Sequence, residues 1–120
     1  MTIQESAEMY LETIYILSKE NEYVRSIDIA KKMNFSKPSV SRAVKNLSNE
    51  DYISIDENGY IALLDKGLKI AKKIYERHDV LTKYFIKLGI NPKVAEDDAC
   101  RIEHVISDET FNAIKNLIKE

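Results

Sequence analysis

The sequence is nearly devoid of cysteine: Cys100 is the only one in 120 residues. An internal disulfide framework is thereby excluded. No opening segment combines a basic region, an apolar core and a cleavage site, and no apolar run approaches the ~20 residues that span a bilayer. The expectation is a soluble protein of the reducing cytoplasm, without membrane contact. Internal repeats, low-complexity tracts and long linkers are also lacking. What is present is a 44% hydrophobic content, enough for the core of one domain or of a small domain carrying an oligomerisation segment.

A general excess of basic charge is missing too, since the formal net charge is −2. Its distribution is uneven. Across residues 23–50 stand Arg25, Lys31, Lys32, Lys37, Arg42 and Lys45 against Asp28 and Glu50. Across 96–110 stand Glu96, Asp97, Asp98, Glu103, Asp108 and Glu109 against Arg101 alone. The first region suits an anionic partner and the second a cation.

Apolar spacing at Ala7, Tyr10, Leu11, Ile14 and Leu17 predicts an amphipathic helix ending near Asn21. Two short helices follow. Ser26 is placed to cap the first, which carries Ile27, Ala30 and Lys31 and stops near Met33 and Asn34; Ser36 is placed to cap the second, with Pro38 in its first turn, where a missing N–H costs nothing. In YISIDENGYIAL, Ile53 and Ile55 alternate with polar residues before Asn58-Gly59, and Ile61 and Leu63 do so after it, the pattern of a hairpin with a tight turn. Asp65 opens a long helix with Ala71, Ile74, His78, Leu81 and Phe85 on one side, ending before Gly89. Pro92 starts another helix, and Ser107 caps a last one, with Asp108 and Glu109 at its positive end. The predicted fold is mainly α with a small β-hairpin wing: a winged helix-turn-helix over residues 1–64, then a helical domain over 65–120.

In SKPSVSRAVKNLSNE, Val40, Ala43, Val44 and Leu47 form the buried stripe. Pro38, Arg42, Lys45 and Asn49 lie opposite, flanked by Ser39, Ser41 and Asn46. Arg and Asn can pair with base edges while Lys and Ser hold phosphates; an ordinary solvated basic face is the bland reading. The helix before it at short separation and the hairpin directly after favour binding to double-stranded DNA. The candidate DNA-facing residues are Arg25, Ser36, Lys37, Pro38, Ser39, Ser41, Arg42 and Lys45. Asp56 and Glu57 are acidic at the hairpin tip, so the tip either stays off the phosphates or meets them through Asn58 and main-chain N–H groups.

The stretch ACRIEHVISDE gathers Cys100, Glu103 and His104 within two turns. On a helical wheel Ala95, Ala99, Ile102 and Ile106 make the buried stripe, and Glu96, Cys100, Glu103 and His104 collect on the other side. A lone cysteine is ordinarily a small core hydrophobe. Beside a carboxylate and an imidazole, off the stripe, it points instead to a transition metal, which such donors suit. Met9 and Glu12, spaced i, i+3, lie roughly opposite the main stripe of the first helix; helix packing and a solvated acid are their ordinary explanations. His78 sits among apolar positions, as a buried histidine bonded to a carbonyl would. As a set these residues suggest a metal site, provided that they converge.

Four motifs in order carry a resemblance: SAEMYLETIY at 6–15, SIDIAKKMNFSKPSVSRAVKNL at 26–47, RHDVLTKYF at 77–85 and DACRIEHVISDE at 98–109. With them the chain resembles, over nearly its full length, the diphtheria toxin repressor and manganese transport regulator family of metal-dependent repressors. The resemblance implies a winged-helix DNA-binding domain followed by a helical metal-binding and dimerisation domain, with divalent metal as corepressor. By position, Met9, Cys100, Glu103 and His104 match the metal site of the iron-type branch. Glu12 and His78 match ligand positions of the manganese-type branch, which has acids where this sequence has Met9 and Cys100. The implied site is therefore mixed. Of the iron branch's ancillary His–Glu–His set His78 remains, with Thr82 and Glu96 in the other places; His78 with Glu103, aided by Glu96, could hold a second ion.

The expected function is a cytoplasmic, homodimeric transcriptional repressor that senses Fe²⁺ or Mn²⁺ and binds operators of metal-uptake genes, with Zn²⁺, Co²⁺ or Ni²⁺ able to substitute in vitro. Pairing is expected through Ile74, Leu81, Phe85 and residues near Phe111 and Ile114. Two rivals differ in class. One is a winged-helix regulator that is redox-responsive through Cys100 or metal-independent. The other is a metalloenzyme, against which stands the lack of a Ser–His pair, a phosphate loop or a legible substrate pocket; no enzyme and no small-molecule substrate are expected.

Overall fold

The computed structural model describes residues 3–119, so residues 1, 2 and 120 of the two predicted domains lie outside the described residues. The apolar periodicity yields α1 (Ile3–Glu20), with Tyr10, Leu11, Ile14 and Leu17 all buried. In α2 (Ser26–Met33) the expected cap is displaced by one residue. Ser26 is already helical and Arg25 holds the N-cap position, its backbone N–H donating to the Asp28 carboxylate at 2.9 Å. An acid in the first turn meets both an orphan N–H and the positive end of the helix, so a serine cap is not required. Asn34 then adopts the left-handed conformation (φ 58°) and stops α2. Ser36 does cap α3 (Lys37–Asn49), accepting from the Ser39 N–H at 3.3 Å, with Pro38 in the first turn.

Strands β1 (Ile53–Ile55) and β2 (Ile61–Leu63) pair antiparallel, Ile53 opposite Leu63 and Ile55 opposite Ile61. The turn between them is closed by the Asp56 N–H donating to the Tyr60 carbonyl at 3.0 Å, and Gly59 supplies its left-handed residue (φ 79°). The expected alternation breaks at Ile55, which is 42% exposed while Ile53 and Ile61 are buried. The flanks explain the difference. The Ile61 N–H donates to the Val24 carbonyl at 2.7 Å, which brings buried Val24 beside β2, whereas Ile55 lies at the tip end of β1.

Three further helices follow: α4 (Asp65–Lys87), α5 (Pro92–Ile102) and α6 (Asp108–Lys119). Gly89 (φ 95°) follows α4, and Ser107 caps α6 by accepting from the Thr110 N–H at 3.1 Å. The described residues form two compact units that divide between residues 72 and 73. Unit 1 is built around α1, α2, α3 and the hairpin, whose buried apolar residues form one cluster that also includes Ala71. The first turns of α4 therefore belong to it.

In unit 2, Ile74, Leu81, Ala95, Ala99 and Phe111 are buried, and Lys115 of α6 donates to Glu76 of α4 at 3.1 Å. This corrects the expected pairing face. Ile74, Leu81 and Phe111 are consumed inside the chain, because so small a helical unit must first cover its own apolar stripes. Leu88, Val105 and Leu117 are its large apolar residues left more than half exposed among the described residues, and Leu88 and Leu117 line a cavity of about 390 Å³ together with Tyr84, Lys87 and Ile118. No described helix is long and apolar enough to cross a membrane.

Candidate functional site

Helix α3 presents the two faces expected of it. Val40, Val44 and Leu47 are buried, and Lys37, Pro38, Ser41, Arg42, Lys45, Asn46 and Asn49 are exposed. Ser36 and Ser39 are committed to the helix start: the Ser36 hydroxyl donates to Ser39 Oγ at 2.8 Å, and Arg42 Nη2 donates to the same oxygen at 3.5 Å. Burial raises the Tyr10 phenol above its ordinary range, and the positive charge of Arg42 partly offsets this. Arg25 is exposed at the start of α2. At the hairpin, the Asp56 carboxylate turns inward and accepts the N–H groups of Asn58 and Tyr60, both at 2.9 Å. Its acidity serves the turn.

In unit 2 the donors converge on Glu103, whose residue exposure is 0%. Its Oε2 lies 2.8 Å from His78 Nδ1, and its Oε1 lies 3.4 Å from His104 Nε2. A carboxylate this deeply buried persists only with compensating partners. His78 comes from α4; Glu103 and His104 come from the turn after α5. Arg77 fixes that turn. Its Nη1 donates to the carbonyls of Glu103 at 3.1 Å and Ile106 at 2.8 Å, its Nη2 to the Asp108 carboxylate, and its guanidinium lies over the Phe111 ring at 5.6 Å. Arg77, and after it Lys73, hold the Asp108 carboxyl below the usual carboxylate range. Cys100 is exposed. In unit 1, Glu12 is buried and Met9 half-buried on α1.

A family model described as the iron dependent repressor, N-terminal DNA binding domain, matches residues 2–61, and one described as the iron dependent repressor, metal binding and dimerisation domain, matches residues 64–120. The chain belongs to the iron-dependent repressor family. An uncharacterized HTH-type transcriptional regulator of Methanocaldococcus jannaschii is 33% identical, over 94% of this chain and 92% of its own. The HTH-type transcriptional regulator MntR of Geobacillus thermodenitrificans is 32% identical, over 95% of this chain and 81% of its own. The solved structure of the manganese regulator SloR is similar with a TM-score of 0.83 at 30% identity, covering 99% of this chain and 55% of that one. The chain thus spans about half the length of that structure.

The iron-dependent repressor fold, a winged helix-turn-helix followed by a helical unit, is the one read from the sequence, and with it the class of metal-dependent, DNA-binding transcriptional repressors. The helical-wheel reading of the repressor's acidic helix needs correction. Helix α5 ends at Ile102, and Glu103 is buried, whereas Glu96 and Cys100 are exposed. Ala95, Ala99 and Glu103 recur every four residues and so lie on one row; the helical wheel drawn on Ile102 and Ile106 placed Glu103 off it. His104 is equally withdrawn, its side chain 4% exposed. Glu12, read as lying off the core stripe, is also buried. His78 meets a carboxylate, not a carbonyl. Arg77 was missed by sequence reasoning, though its i, i+3, i+7 spacing with Ile74 and Leu81 marks the buried face. Glu103, with His78 at one carboxylate oxygen and His104 near the other, brings together donor types that suit a divalent transition ion.

Proposed function

We propose that this chain represses metal-uptake genes in the cytoplasm when Fe²⁺ or Mn²⁺ is abundant. The observation that carries the reading is Glu103, a wholly buried carboxylate flanked by His78 and His104, in a chain whose first unit carries an exposed basic helix face. Its ligands are Met9, Glu12, Cys100, Glu103 and His104, with His78 and Glu103 available for a second ion; Zn²⁺, Co²⁺ or Ni²⁺ would substitute in vitro. When bound, the ion supplies positive charge to the carboxylates and bonds formed only in the DNA-competent state. A shift from mostly incompetent to mostly competent protein needs roughly 5.5 kcal/mol of such preference.

The direct test is duplex binding by metal-free protein, titrated anaerobically with Fe²⁺ or Mn²⁺. Tightening of at least about tenfold, reversed by chelator, is expected, since 1.4 kcal/mol of coupling already gives that factor. A response to oxidant but not to chelator would favour the redox reading of Cys100.

On the DNA side, Arg42 and Lys45 are the residues expected at the phosphates and base edges. Replacing either with Ala should lower the slope of log affinity against log salt by about one if it contacts a phosphate. An unchanged affinity and slope after replacing both would remove α3 from the DNA surface.

A single winged-helix unit reads one half-site, so pairing of two copies accompanies this function. Leu88 and Leu117, exposed beside the cavity at Tyr84, are proposed as the centre of that pairing face, in the part of the chain matched by the dimerisation-domain model. Sedimentation of the parent at micromolar concentration should give a dimer, and Leu88→Glu with Leu117→Glu a monomer. A parent that sediments as monomer with and without metal contradicts this.

A further inference from the structure

Three side chains join the hairpin to the start of α2, and the contacts of α3 leave them unused. Tyr23 and Tyr60 stack with ring centroids 4.4 Å apart and 17° between planes. The Arg25 guanidinium lies 4.7 Å from the Tyr60 centroid, and its Nη2 donates to the Tyr60 hydroxyl at 3.2 Å. The backbone beneath is laced by the Ile61 N–H to Val24 carbonyl bond at 2.7 Å. Tyr60 is itself pinned at both main-chain groups: its N–H donates to Asp56 Oδ1 at 2.9 Å, and its carbonyl accepts from the Asp56 N–H at 3.0 Å.

The cluster is rigidly mounted yet lies on the surface, with Tyr23 56% exposed and Arg25 exposed. Its cation is also unneutralised. Asp28 accepts from the backbone N–H of Arg25, and among the described residues no carboxylate pairs with its guanidinium. Lys32, on the same helix, is by contrast paired with Glu20 at 3.8 Å. A guanidinium stacked on a ring keeps most of its donors for a planar or tetrahedral oxyanion, and it loses less freedom on meeting one than a loose side chain does.

We infer that Tyr60 is a positioning residue for DNA binding: backed by Tyr23, it holds the Arg25 guanidinium as a fixed phosphate contact. The flank of the wing, not its acidic tip, then meets the DNA backbone. This rests on the reading of the first unit as DNA-binding, and it answers how a wing carrying Asp56 and Glu57 at its tip can still approach a polyanion.

The test is a salt titration of binding to a mixed-sequence duplex by the Mn²⁺-loaded full chain, for the parent, Arg25→Ala, Tyr60→Ala, Tyr60→Phe and the Arg25→Ala/Tyr60→Ala double variant. Arg25→Ala should lower the salt slope by about one. Tyr60→Ala should produce most of the same loss, and the double variant no more than Arg25→Ala alone, the non-additivity of a shared contact. Melting curves identify any loss of fold. Should Tyr60→Ala unfold, Tyr60→Phe decides, since it keeps the ring and removes the hydroxyl acceptor; binding about three- to tenfold weaker is expected, as for loss of one exposed hydrogen bond of ordinary net strength. If Arg25→Ala lowers the slope while the folded Tyr60 variants match the parent, the positioning role is overturned and the DNA-binding reading stands. An unchanged slope in Arg25→Ala, with Arg42→Ala still lowering it, overturns the inference by removing its contact. If none of these substitutions changes the slope, the DNA-facing assignment of this unit falls with it.

Discussion

His104→Ala is expected to leave the protein folded and to abolish metal-dependent DNA binding. The imidazole is almost wholly buried, with Nε2 3.4 Å from Glu103 Oε1, so its loss removes a nitrogen donor from the point where the second unit gathers its ligands. Disturbing outer-shell partners of a metal ligand already costs 10–100-fold in affinity, and loss of a ligand should cost at least about 100-fold. Anaerobic calorimetric titration measures the binding, and a duplex-shift assay with and without chelator measures its consequence. A His104→Ala protein that still binds DNA fully with metal and is released by chelator would place the site elsewhere. The companion variant, Met9→Asp with Cys100→Glu, exchanges a thioether and a thiolate for carboxylates and should shift the response from Fe²⁺ towards Mn²⁺, which prefers oxygen. Acidification should weaken the site in every form, because coordinating imidazole must be neutral and thiol ionised.

Gly67→Ala should destabilise the protein by about 2–4 kcal/mol, although alanine is intrinsically the better helix former by about 1 kcal/mol. A Cβ at this position would fall on the Tyr52 carbonyl oxygen and within 3.3 Å of a Leu11 methyl. The obstacle is backbone. The same carbonyl accepts the Leu64 N–H at 3.0 Å, so it cannot retreat without breaking the bond that joins the end of the hairpin to α4. Leu11 is fully buried and equally unable to yield. Thermal and urea unfolding check the expectation: the midpoint should fall by roughly 10 °C, with the urea m-value unchanged. A variant as stable as the parent would mean that α4 enters the first unit by another path.

Local rules made much of the architecture legible in the sequence. The Ser36 cap with Pro38 behind it, the alternation around Asn58-Gly59 and the three-and-four spacing of α1 act between near neighbours along the chain. So does the separation of Val40, Val44 and Leu47 from Arg42 and Lys45 on α3. Periodicity alone therefore yields the helices, the hairpin and the outward basic face. The family also follows from the order of the four motifs.

Burial of polar groups, however, was decided only in three dimensions. Glu12 and Glu103 look like surface acids until neighbouring elements cover them. Arg77 is unremarked in the sequence because its partners, the carbonyls of Glu103 and Ile106, lie 26 and 29 residues away and carry no side-chain signature. The Tyr23–Tyr60–Arg25 stack likewise joins positions up to 37 residues apart. Ile74, Leu81 and Phe111 have the pattern of an interface and of an interior alike, and packing assigned them to the interior. The sequence by itself determined which segments are helical or paired and which residue types they present, because those preferences are short-ranged. Which charges are withdrawn from water, and which side chains meet, depended on the tertiary structure, because desolvation and pairing are set by whatever the fold brings against each group.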